Sequence, residues 1–444
     1  MSQHSLEQYL KYFLAEHCLG FGKLVVAYSG GLDSSVLLHA LAAAVTNRSR
    51  IYAIHINHHL QPEADDWQMF CYEQARRLKV NFIVESVQIT DDFNIEAQAR
   101  DLRYAALSEH LAATDFLFTA HHQDDQAETL LLNLLRGSGV DGLAGMQAIS
   151  RLGATKLLRP FLKLPREDLE DYARDRKLEW IEDPSNLDTR YSRNFIRQDV
   201  LPLLLSRWPH ASATISRSAE NCREMVNFSS AYLNVMLDDC VGEYSHILQL
   251  SMIRPMTLDQ RQLLIRQWLK LNQVIMPDRH KLLTLAKDFV NYDNDSDAML
   301  EWAGIRIRMY LDQLFLFKQT ALDETHKAVT QHWLDEQSCS FDLDNPAGQL
   351  DLTFSEAVQH ELDGRLLVRH RQSGETVRLA GRKGSRKLKK LFQEWQIPPW
   401  LRDHVPLLFL DNQCIAVGDL AYCEKAPKQL KSISWVLPEA FRWK

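Results

Sequence analysis

Two familiar signatures of nucleotide-binding chains are missing where the first β-type run of these 444 residues ends. That turn carries neither a G-x-x-x-x-G-K-[ST] loop, whose lysine would reach the outer phosphates of a nucleoside triphosphate, nor a G-x-G-x-x-G dinucleotide fingerprint. No run of about 18 apolar residues occurs that could span a bilayer. The N-terminus also lacks the charged, apolar and small-residue order of a secretory signal, so a cytoplasmic protein without a membrane partner is expected. The seven cysteines (18, 71, 222, 240, 339, 414, 423) are odd in number, widely spaced and nowhere arranged C-x-x-C. That pattern points to reduced thiols and argues against a cysteine-bound zinc or iron–sulfur cluster.

What is present describes a globular chain, with 45% hydrophobic and 25% charged residues. At roughly 150 residues per domain its length suggests two or three domains. The net charge of −7 disfavours a nucleic-acid partner only until its distribution is considered. Between Arg365 and Lys390 six Arg and four Lys face one Glu, so this stretch carries +9 and the remainder −16.

Strand and helix patterns alternate up to about residue 210. Strands are expected at Lys23 to Tyr28, Ile51 to Asn57, Phe82 to Val87 and Phe116 to Ala120, with helices at Ser34 to Val45, Asp65 to Leu78, Ile95 to Leu111 and Asp125 to Leu135. This implies an α/β fold, a doubly wound, Rossmann-like parallel sheet, with ligands at the carboxyl ends of its strands. Ser29 to Ser34, His55 to His59 and His121 to Glu128 all fall there. The texture then becomes helical (Ala219 to Asp239, Thr257 to Asn272, Asp278 to Tyr292), followed by strand candidates at Ala298 to Met309 and Gln313 to Lys318. After a polar linker, Gln319 to Thr330, come short β-type runs and a basic helix near Lys387 to Trp395. The expected domains are therefore 1–217, 218–320 (small, mainly helical) and 321–444 (mixed α+β and basic).

The run Leu24 to Tyr28 stops at Ser29-Gly30-Gly31-Leu32-Asp33-Ser34 and resumes as a helix. Two glycines let the backbone approach a polyphosphate, and the helix start directs unpaired N–H groups at the anion. The hydroxyls of Ser29, Ser34 and Ser35 can add hydrogen bonds. A tight turn with no ligand would need only one glycine. The turn resembles the S-G-G-x-D-S loop of the PP-loop ATP pyrophosphatases. That resemblance implies that Ser29, Gly30, Gly31, Leu32, Asp33 and Ser34 bind ATP, that the α phosphate is attacked as pyrophosphate leaves, and that Asp33 helps to place Mg2+.

His121-His122-Gln123-Asp124-Asp125-Gln126-Ala127-Glu128 brings two histidines and three carboxylates into eight residues. Asp125 and Glu128, three apart, share a helical face. Acids in a first helical turn are ordinary dipole partners, which accounts for one or two of them. Beside a triphosphate, three carboxylates call for a cation among them, either magnesium on Asp33 and Asp124 or a cationic co-substrate on Asp125 and Glu128. Arg100 and Arg103 offer forked donors suited to phosphate. His55, His58 and His59 carry only a weak metal signal, and Trp180, Trp395 and Trp400 fit either base stacking or core packing.

Further motifs narrow the resemblance: E-A-Q-A-R-D-L-R-Y at Glu96 to Tyr104, H-H-Q-D-D-Q-A-E-T running into R-G-S-G-V-D-G-L-A-G-M, W-I-E-D-P-S-N at Trp180 to Asn186, R-N-F-I-R-Q-D-V-L-P-L from Arg193, and K-G-S-R-K-L-K-K-L-F-Q-E-W from Lys383. In this order they are similar to the bacterial tRNA(Ile)-lysidine synthetase family over essentially the whole chain. The resemblance implies a ligase that adenylates the first anticodon cytidine of isoleucine tRNA with a CAU anticodon and then admits free L-lysine. Asp125 and Glu128 are then the lysine binders, His121 or a carboxylate accepts the proton that lysine loses, and Arg193 and Arg100 balance charge on the α phosphate. Arg382, Lys383, Arg386, Lys387, Lys389 and Lys390 are expected to contact tRNA phosphates; a homodimer is left open. Two rival readings are a tRNA thiolase, which generally needs paired cysteines, and a non-catalytic RNA-binding protein, which has no use for an intact phosphate turn.

Overall fold

A computed structural model describes residues 3–59, 61–87, 95–291, 298–318, 329–343 and 346–443, and these divide into two compact units, Met1–Ser229 and Ser230–Lys444. The first unit is built on a six-stranded sheet of β1 (Leu24–Ala27), β2 (Ile51–Asn57), β3 (Asn81–Ser86), β4 (Phe116–Phe118), β5 (Ile149–Leu152) and β6 (Thr155–Leu158), in the order β3-β2-β1-β4-β6-β5. All neighbouring pairs are parallel except β5 with β6. The helices are α1 (Gln3–His17), α2 (Leu32–Ala44), α3 (Ala64–Leu78), α4 (Ile95–Glu109), α5 (Gln123–Leu135), α6 (Val140–Leu143), α7 (Arg166–Asp175), α8 (Ser192–Phe195), α9 (Leu201–Arg207) and α10 (Ala211–Asp238).

The apolar run of β1 explains why the sheet is covered on both faces. Leu24 and Val26 pack with Val36, Leu37 and Leu41 of α2, whereas Val25 joins Leu107 of α4, Ile54 and Leu117 in a second core. Successive side chains of a strand point to opposite sides, so one short run feeds two cores. β1 lies between β2 and β4, where the strand order reverses. A crevice opens at such a switch point. The segments that leave β1 and β4, Ser29 to Asp33 and His121 to Asp125, are therefore side by side.

In the second unit, β7 (Ile247–Gln249), β8 (Met299–Trp302), β9 (Ile305–Tyr310) and β10 (Gln313–Lys318) form an antiparallel sheet ordered β7-β10-β9-β8. The helix Leu258–Leu271, opened by a capping box between Thr257 and Gln260, buries Trp268 against it. Beyond lie two further four-stranded antiparallel sheets and a short ribbon pairing Thr376–Val377 with Arg386–Lys387. The helix Leu388–Glu394 follows where the basic helix is expected. Among the described residues, no helix is long and apolar enough to cross a membrane.

The fold groups the later residues differently from the expected domains. The unit boundary falls inside α10 instead of near residue 218, because a continuous helix carries no change of composition at that point. No compact-unit boundary falls near 320, because β10 serves two cores: Leu314 and Leu316 enter the helical one, Phe315 and Phe317 the C-terminal one. Residues 319–328 of the expected linker lie outside the described residues.

Candidate active site

The turn after β1 is held from within. Gly31 caps α2 in an extended conformation, and Gly30 sits at φ +83°, the left-handed region that favours glycine. A Cβ on Gly30 would lie 2.6 Å from Ile181 Cδ1 and 2.7 Å from Cys71 Sγ. The Gly30 carbonyl accepts from the Ile181 N–H at 2.9 Å and from the Ser35 hydroxyl at 3.2 Å, while the Ser34 hydroxyl donates to the Gly31 carbonyl at 3.0 Å. Ser34 and Ser35 are thus buried and spend their hydroxyls on the turn itself. Ser29 remains exposed, 3.1 Å from Ser34 Oγ. With its carbonyls tied off inward, the turn presents the unpaired N–H groups of the α2 start outward.

The same bracing shows what two other motifs do. Ile181, from the W-I-E-D-P-S-N segment, forms the back of the turn, with Trp180 half-exposed beside it. His55 is buried, and its Nδ1 donates to the Tyr28 carbonyl at 3.0 Å. His59 contacts Ser86 Oγ at 3.2 Å, and burial pushes the His58 imidazole down to about 4.

α5 starts beside this turn, and its acids are already partnered. Glu128 has no exposed surface; its Oε1 accepts from Arg197 Nε at 2.6 Å, and its Oε2 from Arg193 Nε at 2.9 Å and Arg197 Nη2 at 3.0 Å. Asp125 Oδ1 accepts from Arg193 Nη2 at 3.0 Å and Arg197 Nη2 at 2.8 Å. Carboxylates three apart on α5 meet arginines four apart, one on α8 and one on the π-helical turn Ile196–Val200 that continues it. Burial pushes the Asp125 carboxyl up, but His122, His121, Arg193 and Arg197 more than offset it and hold the group below its ordinary value. The expectation that both acids face an incoming ammonium therefore meets a different ground state, in which they hold arginines.

His122 ties this cluster to the phosphate turn. Its imidazole is 2% exposed, with Nε2 3.3 Å from Asp125 Oδ2 and 3.7 Å from Asp33 Oδ2. Burial raises the Asp33 carboxyl, and the charge of Asp125 adds to this against the opposing effects of His122, Arg166 and Arg197. Asp33 Oδ1 has no hydrogen-bond partner and lies 4.0 Å from Arg166 Nε. An unpartnered carboxylate oxygen at a polyphosphate site suits a magnesium ion that takes most of its other ligands from phosphate and water. Among the described residues, no group of three or more His, Cys, Asp or Glu could hold a metal by itself, so Asp33 and Asp124 do not form a closed metal cage.

His121 contacts Thr119 Oγ1 at 2.9 Å, and burial pushes its imidazole down to about 3, with Arg159, Arg193 and Arg100 reinforcing the shift. Arg100 and Arg103 both lie over the Tyr104 ring, at 5.2 and 6.0 Å. Sequence reasoning missed His122, Arg159, Arg166 and Arg197 as site residues. Arg197 had a visible signal in the R-N-F-I-R spacing, whereas Arg159 and Arg166 come from segments with no motif of their own.

The basic stretch separates by residue type. All six of its arginines pair with carboxylates: Arg365 with Asp411, Arg369 with Glu375, Arg371 with Asp403, Arg378 with Glu424, and Arg382 and Arg386 with Glu394. Lys383, Lys387, Lys389 and Lys390 are exposed and make no ion pair among the described residues. Trp400 is core, packed edge-on against Phe315 and Phe317, and Trp395 is half-buried.

Comparison with known proteins places these features in one family. Residues 2–204 match a PP-loop domain, 248–315 a TilS substrate binding domain and 366–439 a TilS substrate C-terminal domain. The tRNA(Ile)-lysidine synthase of Legionella pneumophila strain Paris is 38% identical over 414 residues, 90% of this chain and 93% of the relative. Proteins of the same name from Coxiella burnetii (37% over 409 residues; 90% and 89%) and Pectobacterium atrosepticum (40% over 404 residues; 89% and 90%) are similarly close. The chain belongs to the tRNA(Ile)-lysidine synthase family. The PP-loop match contains the turn, the acids of α5 and both arginines, so the whole cluster lies within the family's ATP-using domain.

Removing one arginine tests the charge balance. Arg197→Ala leaves Glu128 with a single partner, and the expected destabilisation is about 3 kcal/mol, the low end for breaking a buried pair because Arg193 remains. Urea denaturation monitored by circular dichroism measures it; a change below about 0.5 kcal/mol would place the cluster in the range of a solvated surface pair.

Proposed function

We propose that this chain uses ATP to adenylate the C2 carbonyl oxygen of the first anticodon cytidine in isoleucine tRNA bearing CAU, releasing pyrophosphate. The ε-amine of L-lysine then bonds to that carbon, AMP leaves with the oxygen, and the product anticodon reads AUA instead of AUG. The observation that carries this reading is the Asp125, Glu128, Arg193 and Arg197 cluster joined through His122 to Asp33 of the phosphate turn. An amide-like carbonyl oxygen is a poor leaving group, and adenylation makes it a good one. The turn's N–H groups grip the β and γ phosphates, and Arg193 with Arg100 balances charge on the α phosphate. Asp33, with Asp124 as a second candidate, would hold magnesium, which when bound neutralises the departing pyrophosphate.

Lysine recognition by Asp125 and Glu128 follows from a change of partner. A guanidinium that turns to the α phosphate releases carboxylate oxygens, and the lysine ammonium replaces its charge. The proton that the amine must lose goes to a nearby carboxylate or to His121, which burial keeps neutral at pH 7 but also makes a weak base, so the carboxylate is the stronger candidate.

Incubating the protein with ATP, radiolabelled lysine and isoleucine tRNA should leave label on RNA through mild alkali, which would strip an aminoacyl ester. Absence of alkali-stable label would end this reading. Calorimetry should find lysine binding at least about ten-fold tighter with a non-hydrolysable ATP analogue present, a coupling of roughly 1.4 kcal/mol; equal affinities would show that the arginines do not move.

The exposed lysines supply RNA affinity. Reversing Lys387, Lys389 and Lys390 to Glu should weaken all tRNAs alike and flatten the salt dependence by roughly 0.7 to 0.9 for each phosphate that is no longer neutralised. Filter binding at several salt concentrations reads this, and an unchanged slope would assign the lysines to solvent.

A further inference from the structure

Beside the charge cluster, the same two elements enclose a groove that the proposed reaction leaves without a role. It is lined by Leu132, Leu135 and Arg136 at the end of α5, by Arg190, and by Phe195 and Ile196 at the end of α8, and holds about 350 Å³. Leu135 is 79% exposed and Phe195 48% exposed, an unusual amount of large apolar surface for so small a region. Leu132 is one helical turn beyond Glu128, and Phe195 is two residues beyond Arg193, so the groove adjoins the cluster on the same two elements.

We propose that this groove seats one unstacked nucleotide of the substrate RNA, next to the nucleotide that reacts. Three observations select this occupant. An aromatic face backed by aliphatic side chains stacks any base. Arg136 is an exposed rim cation with no ion pair among the described residues, placed for the phosphate of that nucleotide, while Arg190 is partnered by Asp188. The volume suits a nucleotide, whereas one turn of a helix, about 10 Å across and 5.4 Å long, already exceeds it. The inference rests on the proposed RNA-directed reaction and adds to it a place where the anticodon loop is splayed open.

The test uses the full chain and the anticodon stem-loop of isoleucine tRNA, intact or with one base removed at each position beside the target cytidine. Binding is read by fluorescence anisotropy and lysine incorporation separately. Phe195→Ala should weaken the intact stem-loop about ten-fold, Phe195→Trp should restore it, and ATP affinity should not change. Leu135→Glu, an exposed position that tolerates a charge in the fold, should weaken RNA to a similar extent. One abasic position should cost the wild type about ten-fold and cost Phe195→Ala nothing further. The groove assignment is overturned if Phe195→Ala and Leu135→Glu both bind RNA normally, or if every abasic position costs both proteins equally. It is also overturned if the variants instead dissociate a dimer in sedimentation, which would make the groove an interface between copies. The expected binding effects without any lysine incorporation would leave the groove standing and remove the proposed reaction.

Discussion

Two carboxylates and two guanidiniums packed between α5 and the α8 region set the terms for the rest of the first unit. Taking any one of these ions out of water costs several kcal/mol, and only mutual, multiply hydrogen-bonded pairing makes the group tolerable. Glu128 is fully buried, and both of its oxygens accept from arginine, which compensates the water it has lost. The spacing of three on α5 and four across α8 and its π-helical extension is what brings the forks into register. A change of one residue in either spacing would swing a charge into apolar surroundings.

The pairing is balanced, two carboxylates against two guanidiniums, so each ion depends on the others for its compensation. Through His122 the cluster is connected to Asp33, whose carboxyl is raised by burial and by the charge of Asp125. The turn itself is braced from behind, where Ile181, Ser34 and Ser35 engage its carbonyls.

In the second unit the division of labour is between charge types. Arginine's planar fork suits paired, ordered contacts, and each arginine of the basic stretch has one. Lysine is strongly hydrated and flexible, and the four lysines stand at the surface without an ion pair among the described residues. The large formal charge of that stretch therefore divides into an unpaired part, carried by lysine, and a part largely offset, six arginines against five carboxylates, with Glu394 shared by Arg382 and Arg386. The core of that stretch is anchored by β10, whose alternate residues complete two cores.

Much of this was legible along the chain because it depends on short-range periodicity. Four of the parallel strands of the first unit, the helices that follow them, the glycine turn and the acidic opening of α5 each show in a window of about a dozen residues, whereas β6 and its antiparallel partner β5 do not. The family resemblance rested on the same local strings. Pairing was not legible. Asp125 and Glu128 read as free acids because their partners are 65 to 72 residues away. Arg159 and Arg166 gain their positions only when β6 and α7 are laid beside the turn, and the arginines of the basic stretch look unopposed until the strands bring in Asp403, Asp411 and Glu424. The sequence by itself determined which residues could carry charge at the site and on which local face. Tertiary structure alone decided which charges cancel, because Coulomb energy depends on distance in space and on exclusion of water, neither of which is written in the order of residues.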